Sequence, residues 1–382
     1  MRIIVDENVP YGAEAFGTLG DVVRCAGRSV TSEAVRDADA LIVRSITKVN
    51  ETLLAGSKVR FVGTCTIGTD HVDEAYLRKR KIGFASAPGS NANSVAEYIA
   101  AALLVLARRG GYRLEGKTIG VVGVGNVGSQ VVRKAEALGM RVIQNDPPLQ
   151  RATGEARFRP IEELFDADFI TVHVPLTKGG PDATHHLVNE QFLSNMKRGS
   201  VLLNSSRGSV ADGEALGKAL DRGHLFAVLL DVWQGEPNID VELLKKVAIG
   251  TPHIAGYSFD GKVLGTRMIY RALCKFLGVP ADWDPAPLLP EPEHPLLKID
   301  AAGRDDEDVL REAVLTVYDI ERDDADLRKI ADLPPDQRGP YFDRLRKNYP
   351  QRREFPNTKV ALTGQRLKAA KSLIALGFGV TR

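Results

Sequence analysis

The chain has 382 residues, 43% of them hydrophobic and 26% charged. At about 150 residues per domain this suggests two or three domains, with too much apolar material for general disorder. Fifty-one Lys and Arg against 49 Asp and Glu leave a net charge of +2, which gives no electrostatic reason to expect nucleic acid or a membrane surface as partner.

The chain opens directly on a strand, Met1-Arg2-Ile3-Ile4-Val5, without the apolar core of a signal peptide. Short β-branched runs at residues 3–5, 40–43, 60–63, 82–85, 118–122, 141–144, 169–172, 201–203 and 226–230 read as strands, and helix-like stretches separate them. Continuous apolar strands alternating with helices mean parallel sheets covered on both faces, an α/β doubly wound architecture. Ser94-Val95-Ala96-Glu97 fits a capping box opening a long helix. The breaker cluster from Pro88 to Asn93 before it marks a domain boundary. The longest apolar run, Ile99 to Ala107, is about half the length of a membrane span, and Arg108-Arg109 close it. A second long helix is expected over 259–277. Five prolines between Pro285 and Pro295 read as a stiff connector. Beyond them, residues 304–326 hold ten acids and three bases, and residues 344–371 hold nine bases and one acid. The two stretches either face each other, within one subunit or across a two-fold axis, or are two solvated helix faces. Three separated cysteines, Cys25, Cys65 and Cys274, make neither a disulfide framework nor a zinc site, which fits a reducing cytoplasm.

Two groups of residues carry chemistry. Residues 118–122 run into Gly123-Val124-Gly125-Asn126-Val127-Gly128, a Gly-x-Gly-x-x-Gly loop followed by a helix. Gly123 suits a tight turn, Gly125 a close approach to a pyrophosphate, and Gly128 helix-on-strand packing. The helix N-terminus offers its amides to phosphate. Asp146, 18 residues past Gly128, can accept hydrogen bonds from both ribose hydroxyls and repels a 2′-phosphate, so NAD is preferred to NADP.

The second group lies just past three later strands: Arg207, Glu236 and His253. In an open parallel sheet, ligands bind beyond the carboxyl ends of the strands. An arginine fork matches a carboxylate, a histidine can take an alcohol proton, and Glu236 can bond the other imidazole nitrogen. Together they suit oxidation of a 2-hydroxy acid. Taken singly, each reads as a surface charge, a turn residue or a loop histidine. His173 reads as structural. The pair His185-His186 has no acid or cysteine at metal spacing, so no metal is expected. No Gly-x-Ser-x-Gly elbow or Cys-x-x-Cys occurs, which weakens hydrolase and thiol-redox readings.

These blocks, with Asn204-Ser205-Ser206-Arg207-Gly208, Asp231-Val232-Trp233 and Pro252-His253-Ile254-Ala255-Gly256, resemble the D-isomer-specific 2-hydroxyacid dehydrogenase family. The resemblance implies that Arg207, Glu236 and His253 are catalytic, with His253 as the proton donor and acceptor. It implies NAD contacts from Gly123, Gly125, Asn126, Val127, Gly128, Asp146, Val174, Ser206, Asp231 and Gly256. Ser45, Thr66 and Tyr257 would touch substrate. From Met1 to Pro10, from Thr64 to Asp73, and in the tail at Val317-Tyr318-Asp319-Ile320 and from Gly339 to Arg346, the chain resembles a branch acting on a small phosphorylated hydroxy acid. That branch implies a homodimer formed through a C-terminal α+β domain at 285–382. It also implies two Rossmann-like domains: a discontinuous substrate domain of 1–93 and 258–284, and an NAD-binding domain of 94–257. A sibling dehydrogenase, such as one acting on phosphoglycerate, or a non-catalytic NAD-sensing corepressor would share most of these blocks.

Overall fold

Strands buried on both faces pair in parallel, because only helical crossovers can cover both sides of the sheet. The computed structural model describes residues 1–364 and 367–381; Arg366, part of the expected basic stretch, lies outside the described residues. Two compact units are present, Met1–Asn91 with Ser258–Glu291, and Ala92–Tyr257 with Pro292–Arg382.

The first unit holds a parallel sheet of β1 (Arg2–Asp6), β2 (Asp21–Cys25), β3 (Ala40–Val43), β4 (Phe61–Thr64) and β5 (Gly83–Ala85), in the order β2-β1-β3-β4-β5. The order reverses between β1 and β3, the position where doubly wound sheets leave a crevice. Strand β2 was not expected from the sequence: it is an edge strand, and Asp21 and Arg24 interrupt its apolar run. The helix Phe259–Leu277 returns to this unit. Ser258 Oγ caps it by accepting the Gly261 amide at 2.9 Å, and Gly278, at φ 71°, ends it. It buries Ile269, Tyr270 and Leu273 with the strands.

The second unit holds β6 (Thr118–Val122), β7 (Arg141–Asn145), β8 (Phe169–Val172), β9 (Val201–Asn204), β10 (Ala227–Leu230) and β11 (Ile249–Gly250), all parallel. Their order is β11-β10-β9-β8-β6-β7, so its switch point lies between β6 and β8. A smaller parallel sheet, β12 (Leu296–Asp300), β13 (Lys359–Thr363) and β14 (Gly379–Thr381), follows the proline-rich connector. Residues after 291 therefore carry their own sheet yet share a unit with the larger one. The helix Leu367–Leu376 packs on the helix Asn126–Ala137, where Lys134 Nζ donates to the Leu376 carbonyl at 2.7 Å.

The capping box is corrected by the structure. The long helix spans Ala92–Gly110, so Ser94 lies inside it. Ser94 Oγ donates to the Ala255 carbonyl at 2.9 Å. Glu97 is fully buried and accepts from Arg352 Nη1 at 3.0 Å, the Phe355 amide at 2.8 Å and Asn93 Nδ2 at 2.9 Å. Distant partners, the Ala255 carbonyl for Ser94 and Arg352 and the Phe355 amide for Glu97, have won the two side chains that local spacing assigned to the helix end. Arg352 also lies over the Tyr318 ring, 4.2 Å from its centroid.

The charged stretches find partners in the same chain. Arg108 and Arg109 reach Glu321, and Arg113 reaches Asp305 and Asp308. Lys368 reaches Glu115, as Arg352 reaches Glu97. Most of these pairs are exposed and contribute little. The Glu97–Arg352 pair is different, because its side chains are only 0% and 4% exposed. Arg352→Met would leave Glu97 buried without its cation, and we expect a loss of about 3–5 kcal/mol in urea unfolding at unchanged slope. A loss under about 1 kcal/mol would show that Glu97 is satisfied without Arg352.

Candidate active site

The glycine loop sits at the switch point of the larger sheet. Gly123 adopts φ 84°, and a Cβ there would lie 2.7 Å from the His173 carbonyl oxygen and 2.8 Å from Val174. Gly125 precedes the helix Asn126–Ala137, which has no side-chain cap, and a Cβ on it would meet nothing within 4 Å. A Cβ on Gly128 would lie 1.9 Å from the Gly123 carbonyl oxygen. One glycine turns, one leaves room and one lets helix press on loop, while the first-turn amides, those of Asn126 and Val127 among them, have no acceptor within the helix. This donor set fits a dinucleotide pyrophosphate. Asp146 follows β7; its Oδ2 accepts the Val124 amide at 2.8 Å and its Oδ1 the Leu149 amide at 3.0 Å. The same carboxylate therefore braces the loop and caps the next helix. Val174 borders the turn. His173 Nε2 pairs with Thr171 Oγ1 at 2.9 Å, while its buried Nδ1 has no hydrogen-bond partner among the described residues. Burial pushes the His173 imidazole down to about 3 and keeps it neutral.

Past β9, the fully buried Asn204 builds a turn. Its Oδ1 accepts the Ser206 amide at 3.0 Å and hydroxyl at 2.8 Å, and its Nδ2 donates to the Arg207 carbonyl at 3.1 Å. Arg207 leaves this turn with Nη1 donating to the Ser206 carbonyl at 2.8 Å. A Cβ on Gly208 would lie 2.1 Å from the Trp233 backbone, so only glycine lets the Arg207 loop lie against the loop after β10.

That second loop starts at Asp231, which is 1% exposed. Its Oδ1 accepts the Ile254 amide and the Thr251 hydroxyl, both at 2.7 Å, and its Oδ2 accepts the Ala255 amide at 3.0 Å. Its backbone carbonyl accepts the His253 amide at 2.7 Å. Tyr98 completes the chain by donating to Thr251 Oγ1 at 2.7 Å. His253 is held at φ 58°, a left-handed conformation that a β-carbon disfavours. Glu236 closes the arrangement: Oε1 accepts the Trp233 amide at 2.7 Å, and Oε2 accepts from His253 Nδ1 at 2.8 Å. Burial alone would raise the Glu236 carboxyl. The His253 imidazole, the Trp233 amide and the Arg346 guanidinium outweigh it and hold the group below its ordinary value. A carboxylate on Nδ1 places the proton there and leaves Nε2 to exchange one. Gly256 and Tyr257 follow on the same loop, and the Tyr257 ring meets Tyr349 edge-on with centroids 5.8 Å apart.

Ser45 and Thr66 belong to the first unit. Ser45 is exposed two residues past β3, beside that sheet's switch point. Thr66 lies two residues past β4, with its Oγ1 2.7 Å from Thr64 Oγ1, which in turn is 3.0 Å from His71 Nε2. Between them, burial pushes the Cys65 thiol up to about 12, so it is not a nucleophile at neutral pH. Among the described residues, no group of three or more His, Cys, Asp or Glu is placed to hold a metal ion, and no helix is long and apolar enough to cross a membrane.

Comparison with known proteins is consistent with this geometry. Residues 91–255 match the D-isomer specific 2-hydroxyacid dehydrogenase, NAD binding domain, and residues 288–377 match a domain of unknown function (DUF3410). The chain is 48% identical over 382 residues to an erythronate-4-phosphate dehydrogenase of Cronobacter sakazakii, covering 100% of this chain and 99% of the relative. An erythronate-4-phosphate dehydrogenase of Escherichia fergusonii is 48% identical over 379 residues, covering 99% and 98%. Among solved structures, NAD+-bound 3-phosphoglycerate dehydrogenase of Entamoeba histolytica aligns at TM-score 0.62 and 27% identity, covering 73% of this chain and 95% of that one. D-lactate dehydrogenase of Aquifex aeolicus, complexed with NAD and lactic acid, aligns at 0.59 and 26%, covering 72% and 95%. The chain belongs to the D-isomer-specific 2-hydroxyacid dehydrogenases.

Within this dehydrogenase, Arg207, Glu236, His253 and Asp231 come from three separate loops of one unit. Sequence reasoning missed Asn204, Thr251 and Tyr98, which set those loops in place, and it missed Arg346 beside Glu236. Asn204 had a local signal, standing two residues before a serine at a strand end. The other three act across separations that no spacing rule reaches. Asp231→Ala would strip three buried donors of their acceptor. At about 1–3 kcal/mol per abandoned group, we expect a loss of at least ~3 kcal/mol in urea unfolding, with the His253 loop displaced in a crystal structure of the variant. A stable variant with that loop unmoved would show that other contacts hold it.

Proposed function

We propose that the chain is an NAD-dependent dehydrogenase that oxidises the C2 hydroxyl of 4-phospho-D-erythronate, giving (R)-3-hydroxy-2-oxo-4-phosphooxybutanoate in the biosynthesis of pyridoxal 5′-phosphate (vitamin B6). The His253–Glu236 pair, 2.8 Å apart and beside the Arg207 loop, is the observation that carries the reading. NAD bound along Gly123, Gly125 and the first turn of Asn126–Ala137 supplies the acceptor for the C2 hydride. Val174, Ser206, Asp231 and Gly256 would border that cofactor, and Asp146 would accept from its ribose hydroxyls. Arg207 holds the substrate carboxylate through its planar fork. His253 takes the C2 hydroxyl proton at Nε2, and returns one there in the reverse direction. Glu236 fixes the imidazole through Nδ1 and stabilises the charge that develops on it. Ser45, Thr66 and Tyr257 contact the remainder of the substrate. Residues 1–93 with 258–284 form the substrate domain, 94–257 the NAD domain, and 285–382 join two chains as a homodimer in the cytoplasm. The full-length identity to named erythronate-4-phosphate dehydrogenases supports the choice of substrate.

The direct test is NADH formation from a panel of 2-hydroxy acids with and without a terminal phosphate. Turnover highest with 4-phosphoerythronate is expected; a higher kcat/KM for 3-phosphoglycerate would replace the substrate, and no turnover with any hydroxy acid would favour a sensing role. His253→Asn should lower kcat by roughly 10²–10⁴-fold with little change in NAD affinity, and equal loss of both would contradict its proton-transfer role. Asp146→Ala should weaken NAD by roughly 10–100-fold, the value of hydrogen bonds to a charged group, and NADP much less; an unaltered ratio would remove the ribose assignment. Sedimentation equilibrium of the full chain should give twice the chain mass, and a monomer would remove the dimer.

A further inference from the structure

We propose that Arg346, from the C-terminal segment, receives the phosphate end of the substrate and makes this site select phosphorylated hydroxy acids. The inference rests on the reading of the substrate given above and assigns the residue that recognises its second anionic end.

Arg346 lies on the helix Pro335–Lys347, whose residues Gly339, Phe342 and Arg346 share one face. That face is docked on the Glu236 loop. A Cβ on Gly339 would lie 2.6 Å from Asn238 Oδ1 and 3.5 Å from Pro237, and Phe342 is fully buried. Docking carries the Arg346 guanidinium to 5.8 Å from the Tyr257 ring centroid and 6.0 Å from that of Phe342. Its Nε is buried with no hydrogen-bond partner among the described residues. The Tyr257 hydroxyl accepts a hydrogen bond from the guanidinium, and the acids that face it are Glu236 and Asp343, three residues earlier on the helix. Both Glu236 oxygens already accept, from the Trp233 amide and from His253. The cation is thus largely desolvated, one of its donors is unused, and the nearest acid of the catalytic pair is engaged elsewhere.

A buried guanidinium with an unused donor is costly unless an anion completes it. A phosphate does so with the geometry an arginine fork prefers. Arg207 serves the carboxylate, so a substrate with two anionic ends needs a second cation, and Arg346 stands beside the Glu236–His253 pair and Tyr257.

The test compares the intact enzyme with Arg346→Gln and Arg346→Lys, using 4-phosphoerythronate and erythronate as paired substrates. The wild type should prefer the phosphorylated acid. Arg346→Gln should reduce that preference in kcat/KM by roughly 10–100-fold, chiefly through KM, with a much smaller loss on erythronate. Arg346→Lys should fall between, since it keeps the charge and loses the fork. An unchanged preference overturns the proposal, and so does equal loss on both substrates, which is the mark of a residue that only positions Glu236. If Arg346→Gln does not fold, Arg346→Lys decides by the same ratio, joined by competitive inhibition by inorganic phosphate, which should weaken in that variant. A wild type indifferent to the phosphate would instead reject the substrate reading itself.

Discussion

One buried carboxylate, that of Asp231, carries the geometry of the site. A histidine at φ 58° costs of order 1–3 kcal/mol in backbone strain. Asp231 accepts two amides and a hydroxyl from that loop, and each hydrogen bond to a charged acceptor contributes about 1.5–3 kcal/mol. The bonds outweigh the strain, so His253 is held where Glu236 can reach its Nδ1. Trp233, two residues past Asp231, gives its amide to Glu236 and its indole N–H to the Thr251 carbonyl at 2.9 Å. The acid and the imidazole are therefore oriented by the same short segment.

The tail of the chain extends this bracing. Ser94 holds the Ala255 carbonyl, and Arg352 bonds Ser94 and Glu97 together in a nearly water-free setting. The helix bearing Arg346 lies on Asn238, just past Glu236. A segment that composition marks only by its prolines and alternating charge thus supports the loops that carry Glu236 and His253. Sharing a packed unit with the dinucleotide fold, it cannot be removed without opening the core around Phe355 and Leu373.

Much of this was legible in the sequence because the signals were local. Strand stretches such as residues 201–203 are unbroken apolar runs, and Gly123 and Gly128 each answer a steric demand that the structure shows. Arg207, Glu236 and His253 stood out because each follows a buried strand. What was hidden is non-local. The capping box at Ser94 and Glu97 had the right spacing, but Ala255, Arg352 and Phe355 claimed the same atoms. Strand β2 was missed because an edge strand needs few apolar residues. Arg346 sits in a basic run in which nothing distinguishes a buried guanidinium from a solvated one.

The proposed proton transfer requires that Glu236 fix the proton of His253 on Nδ1 and leave Nε2 facing the exchange. Nitrogen-15 NMR of the imidazole reads this directly. A neutral ring carrying its proton on Nδ1, with that preference lost in Glu236→Gln, is the result predicted. A neutral ring carrying its proton on Nε2 would contradict it.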